Sequence, residues 1–185
     1  MADGAIVGTI VGGLIGFLSS AGNDVLKNRR ESRALAHSFR GAITSLIEIA
    51  EARKYDAVLQ SHIQHIQAGN PKIVLRIRAS RDYVEIYKRN VDKLGALKGD
   101  LPELIPAFYT YVNSLLEDVD CLARGDWDSE GDAFFLTAYM TMREMLQKVR
   151  DLAQAIRNEV DLRYPEKTWA TRTAELISAS RRPPE

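Results

Sequence analysis

The chain has 185 residues, 45% of them hydrophobic and 27% charged, and its 25 lysines and arginines balance 25 aspartates and glutamates to a formal net charge of zero. That balance offers no general attraction to nucleic-acid phosphates, so no nucleic-acid partner is expected. A single cysteine, Cys121, excludes a disulfide framework and suits a reducing compartment.

The first predicted element is the uncharged run AIVGTIVGGLIGFLSSAGN between Asp3 and Asp24. As a helix its roughly twenty residues reach about 30 Å, the thickness of a bilayer's hydrocarbon core, which predicts a single transmembrane helix over 1–23. Gly4, Gly8, Gly12 and Gly16 recur at every fourth position, and Ser20 extends the row. Small residues at this spacing let helix backbones approach closely in lipid, so this glycine zipper is the expected oligomerisation face of a homo-oligomer. Its eight strongly apolar residues favour insertion by only roughly −2 to −5 kcal/mol, which suits a span completed by its own copies. A cleaved signal peptide is the main rival, with Ser19-Ser20-Ala21 as its cleavage site, but the leading Met-Ala-Asp-Gly lacks the basic residues such a peptide needs. A buried helix of a soluble protein, apolar on every face, would need a large partner surface around it.

Lys27, Arg29, Arg30, Arg33 and Arg40 follow the run, whereas Asp3 is the only charge before it. The positive-inside rule then places the N-terminus outside and residues 24–165 in the cytoplasm. Lys27, Arg29, Arg30 and Arg33 are the expected membrane-surface residues, each contributing about 1 kcal/mol against anionic headgroups.

From Asp24 to Gly69 the pattern is helical, with Leu35, Phe39, Ile43, Leu46, Ile47 and Ala50 as a core stripe. The stripe falters at Arg53-Lys54-Tyr55-Asp56 and resumes at Val58, Leu59, Ile63 and Ile66, which predicts a kink or short turn. Gly69-Asn70-Pro71 ends this part. Ile73, Leu75 and Ile77 alternate with charged residues over a stretch too isolated for a sheet, so an extended crossover along the bundle is expected. Ser80 or Asp82 is the expected cap of a helix of about four turns, in which Tyr83, Val84, Ile86, Tyr87, Val91 and Leu94 pack until Gly95 ends it. Asp100-Leu101-Pro102 restarts a helix carrying Leu104, Ile105, Phe108, Tyr111, Val112, Leu115, Leu116, Val119 and Leu122. After the loop Gly125 to Asp132, Phe135, Met142, Val149 and Ile156 fall at seven-residue spacing, with Tyr139, Leu146, Ala153 and Val160 four further on. Residues 166–185 are expected to form a short peripheral helix and a frayed tail. The predicted fold is all-α: a single N-terminal transmembrane helix followed by an antiparallel four- or five-helix cytoplasmic bundle.

The stretch YVEIYKRNVDKLGALKGDLPELIPAFYTYVNSLLEDV, Tyr83 to Val119, together with the glycine-rich span, resembles small single-span bacterial membrane proteins of unassigned function. Its most specific pieces are Tyr87, Asn90, Leu94-Gly95 and Phe108-Tyr109. The resemblance implies a bacterial inner-membrane protein with a helical cytoplasmic domain and carries over no catalytic residues.

Asp126, Asp128, Glu130 and Gly131 match the start of a calcium loop, but its ninth and twelfth positions are Phe134 and Thr137, so the expectation is a solvated loop in which Asp132 caps the last helix. His62 and His65 lie i, i+3 with no Glu-x-x-His pair in the chain, so no metal site is expected. Cys121, flanked by Asp118 and Asp120, is not an expected nucleophile. Phosphate-binding, dinucleotide-binding and serine-elbow motifs are missing from the sequence, and no cofactor is expected. These features predict a non-enzymatic, self-associating membrane protein that scaffolds, recruits a cytoplasmic protein or perturbs the bilayer, as in phage defence. The alternative is a membrane-anchored sensory domain with a small ligand in the bundle core.

Overall fold

The heptad seam near the C-terminus forms the axis of the structure. The computed structural model describes the backbone of residues 3–77 and 81–165 and the side chains of 26–77 and 82–165. Along the chain lie α1 (Asp3–Ala52), α2 (Tyr55–Gln67), a 3-10 turn (Arg81–Val84), the one-turn helix α3 (Glu85–Lys88), a second 3-10 stretch (Val91–Ala96), α4 (Leu101–Arg124) and α5 (Asp132–Arg163). The chain is all-α as expected, with no strand among the described residues. All the seam positions of α5 from Phe135 to Val160 are buried, and α1, α2 and α4 each pack against this helix. The seam is therefore consumed within one chain.

The path of the chain departs from a four- or five-helix hairpin series. In α1, Ser32 meets Tyr164 and Arg40 meets Asp161. Further along, Asp56 at the start of α2 meets Arg143 and Arg150, and Ile63 and Ile66 cluster with Phe135 and Tyr139. Both helices thus run in one direction, antiparallel to α5, as a single rod bent at Arg53-Lys54. Lys54 sits in the left-handed region at φ 55°, which a helix cannot continue through. The other neighbour, α4, is also antiparallel to α5: its Leu101 and Ile105 cluster with Ile156 and Val160, and its Leu122 with Phe135.

The fourth side of the bundle is covered by residues 71–77 and 82–98, with Lys72 bonded to Asp132 at the start of α5 and Lys98 to Tyr164 at its end. The first of these stretches is the expected extended crossover. The Tyr139 hydroxyl takes the place of a sheet partner, donating to the Ile73 carbonyl at 2.8 Å and accepting from the Leu75 N–H at 3.1 Å. The expected four-turn helix after Ser80 is instead broken into α3 and two 3-10 pieces. At the break the Asn90 side chain donates to the Ile86 carbonyl at 2.9 Å, satisfying a group that a continuing helix would have used. Val91, expected in the core, is 47% exposed.

The backbone of α1 is helical without interruption from Asp3 to Ala52. The side chains of residues 1–25, and with them the expected row Gly4, Gly8, Gly12, Gly16 and Ser20, lie outside the described residues, as do the peripheral helix and tail expected over 166–185. Among the described residues no helix is long and apolar enough to cross a membrane.

Candidate functional site

Where α1 leaves the bundle, Leu26 to Glu31 are all exposed, and among the described residues Ser32 is the first that is buried. The Ser32 hydroxyl donates to the Ala96 carbonyl at 2.8 Å and lies 2.6 Å from the Tyr164 hydroxyl, which accepts from the Lys98 N–H at 2.9 Å. Each hydroxyl has a single proton, so the order runs from Lys98 through Tyr164 and Ser32 to Ala96. This clasp ties α1, the stretch 82–98 and the end of α5 at one point. It divides the predicted membrane-surface residues. Lys27, with Glu31 at 4.0 Å, stays exposed together with Arg29 and Arg30, whereas the Arg33 guanidinium donates to the Pro165 carbonyl. Arg40 pairs with Asp161 at 3.2 Å.

The acidic loop at the opposite end receives cations from the protein itself. Lys72 donates from Nζ to the carbonyls of Asp128, at 2.8 Å, and Glu130, and it stands over the Phe135 ring at 4.6 Å. Arg76 reaches the Leu122 carbonyl at 2.7 Å and the Asp128 carboxylate at 2.5 Å, and Arg124 pairs with Asp126 at 2.9 Å. Gly125, at φ 83°, makes the turn that ends α4. The expected cap is corrected: no side chain caps α5, and Asp132 instead accepts from the Lys72 N–H at 2.9 Å.

The remaining candidates are scattered. His62 is half-buried, with Nδ1 2.8 Å from the Val58 carbonyl and its ring 5.5 Å from that of Tyr139. Among the described residues no group of three or more His, Cys, Asp or Glu side chains could hold a metal. Cys121 is half-buried with the Arg124 guanidinium 3.7 Å from its sulfur, a neighbour that the flanking aspartates did not suggest.

The arrangement that sequence reasoning missed is a cavity of about 130 Å3 between the two halves of the core. Leu46, Ile47 and Ala50 of α1 form one wall, and Leu115, Leu116 and Val119 of α4 form another. Leu59 of α2, Leu75 of the crossover and Met142 of α5 complete the interior, while Tyr55 and Tyr83 bring the only phenols to it. Beside Tyr55, the exposed Arg53 donates to its hydroxyl at 2.9 Å. No family model, curated protein or solved structure matches this chain. Among the described residues the lining is apolar apart from the two phenols, so it suits an apolar occupant. The sequence signal for it was an α4 stripe wider than one neighbour can cover: Leu115, Leu116 and Val119 are only half-buried.

Proposed function

We propose that this is a non-enzymatic, membrane-anchored helical protein of the bacterial inner membrane. Its segment 1–23 spans the bilayer once, with the N-terminus outside, and self-associates through Gly4, Gly8, Gly12, Gly16 and Ser20. The cytoplasmic bundle then acts as a scaffold or recruiter, or the assembly perturbs the bilayer. The observation that supports this most is the unbroken backbone helix from Asp3 to Ala52, exposed throughout 26–31 before the bundle grips it. Residues 3–25 of that helix extend about 35 Å, enough for a span. Lys27, Arg29 and Arg30, exposed at its end, suit anionic headgroups.

The test is the double variant Gly8→Ile and Gly12→Ile, which raises the hydrophobicity of the span while holding backbones apart. The full chain should remain in the membrane fraction and shift toward monomer on crosslinking. A crosslinking pattern like the parent's would remove the glycine row as the interface.

The cavity favours a second reading, a membrane-anchored sensory domain that holds a small apolar ligand in the bundle core. Its described lining is almost wholly apolar, with Tyr55 and Tyr83 as the polar members, which is the usual composition of a ligand site.

A further inference from the structure

The interior and the rim of the cavity differ in chemistry, and the difference points to an occupant. Apart from Met142 and the two tyrosines, the described lining residues are all aliphatic, so water beside them would find almost no partners. Leu46, Leu115, Leu116 and Val119 are left half-exposed if nothing enters. An apolar cavity of about 150 Å3 accommodates a six-carbon ring. At about 130 Å3 this one has room for a chain end of similar size but not for the two tails of a diacyl lipid.

At the rim, the Arg53 guanidinium donates to Tyr55 at 2.9 Å, and its charged form is favoured by Tyr55 and, at longer range, by Tyr83. Both phenols line the cavity. Arg53 itself is exposed, and its fork of five N–H groups leaves donors beyond the one Tyr55 receives. Lys54 beside it is exposed too. Of the two acids within three residues, Asp56 is engaged by Arg143 at 2.9 Å, and Glu51 is exposed to solvent.

We propose that the cavity takes the tail of a single-chain carboxylate, a medium-chain free fatty acid, with its head held by Arg53 at the Tyr55–Tyr83 rim. This deepens the second reading above and rests on it. The fit follows from size and charge together. About six carbons fill the interior, a few more cross the rim, and the carboxylate then meets a guanidinium in the fork geometry that favours two parallel hydrogen bonds.

The methionine methyl groups supply the readout, because Met142 lines the cavity whereas Met140 is 44% exposed and does not. The full chain, labelled with 13C-methyl methionine and held in phosphatidylcholine nanodiscs, would be titrated with decanoate, decanol and decyltrimethylammonium. Decanoate should shift Met142 saturably and leave Met140 in place. It should bind more tightly than decanol by a factor of about two to five, the range of one solvent-exposed ion pair. Arg53→Gln should abolish that difference while leaving decanol unaffected. Filling the wall with Ala50→Phe should weaken every ligand by about tenfold or more through overpacking. Leu115→Trp, from the opposite wall, should do the same if Ala50→Phe disturbs α1.

Equal affinities of decanoate and decanol in the parent would overturn the carboxylate and leave a cavity that binds apolar ligands. A Met142 signal that answers to the chain length of the phospholipid, and not to decanoate, would overturn the free acid in favour of a lipid tail. No Met142 shift with any of the three amphiphiles would remove the cavity as a ligand site and the second reading with it.

Discussion

Replacing Tyr139 by phenylalanine should destabilise the fold by about 1–2 kcal/mol, while the same change at Tyr109 should stabilise it by about 1 kcal/mol. Both side chains are 0% exposed, so the two substitutions remove the same atom from equally dry surroundings. The partners of that atom differ. The Tyr139 hydroxyl serves two backbone groups of the crossover, the Ile73 carbonyl at 2.8 Å and the Leu75 N–H at 3.1 Å. Both bonds are part-buried, so the loss is shared between the Ile73 carbonyl and the Leu75 N–H. Tyr109 has no hydrogen-bond partner for its hydroxyl among the described residues, and burial pushes its phenol well above the usual tyrosine pKa. Its ring contacts, stacked on Tyr87 at 4.7 Å and edge-on to Phe108 at 5.1 Å and Phe39 at 6.2 Å, would all survive in phenylalanine. Urea denaturation of the full chain followed by circular dichroism would measure both changes. In a thermal scan each kcal/mol corresponds to about 2–4 °C in Tm for a chain of this size. Shifts of the same sign in the two variants would refute the reasoning, because only the hydrogen-bonding partners separate the sites.

Gly99→Ala should cost about 1–2 kcal/mol, since Gly99 sits at φ 62° and an added methyl would collide with the Glu159 carboxylate. That carboxylate holds Arg163 at 2.8 Å and the Asp100 N–H at 3.4 Å, so the same variant should bring the Glu159 pKa, now lowered chiefly by the Arg163 hydrogen bond, back toward the ordinary value. A carboxyl-carbon NMR titration would read it. Asp118→Asn should raise stability at neutral pH. Burial first, and Glu117 second, raise the Asp118 pKa above that of an ordinary aspartate. The folded chain therefore holds that proton more tightly than the unfolded chain, and stability falls as pH rises through the interval from the unfolded to the folded pKa. The gain from asparagine should be present above this interval and vanish below it, and a gain that persisted in acid would show that charge is not its cause.

How much of this was legible in the sequence differs element by element. The α5 seam could be read because a buried helix central to a bundle repeats its apolar residues at a strict heptad spacing, and each of those positions from Phe135 to Val160 is buried. The break at Arg53-Lys54 showed as a gap in the stripe, but periodicity does not reveal which way the chain turns after a gap. Lys54 at φ 55° bends the rod without reversing it, and the hairpin count fell accordingly. The region after Ser80 misled for another reason: Tyr83, Val84, Ile86 and Tyr87 have helical spacing, yet Asn90 closes onto Ile86 and ends the turn locally. Long-range polar pairs were invisible. Nothing near Ser32 signals that its partner is Tyr164, or that Asp132 serves Lys72 in place of its own helix. The cavity was illegible because it belongs to no element, being what remains between the walls of α1 and α4.

The two proposed readings meet in α1. Leu46, Ile47 and Ala50 line the cavity, and the same helix continues without a break to Asp3. A continuous helix bends only gently over such a length, so a change in how Leu46 to Ala50 pack would tilt or turn its far end as one body. An occupant moves that equilibrium only as far as it prefers one packing over the other, and a tenfold preference is about 1.4 kcal/mol. Among the contacts opposing it is the clasp of Ser32 on Tyr164 and Ala96, two hydrogen bonds whose net worth is about 1 kcal/mol each. The clasp lies between the cavity and the exposed stem, where a rotation of α1 must break or keep it. The buried Ala36, Phe39 and Ile43 and the Arg40–Asp161 pair hold the same stretch of α1, so a tenfold preference moves the stem only if the bound packing keeps those contacts, and a ligand that fills the cavity without moving α1 leaves the stem unchanged however tightly it binds.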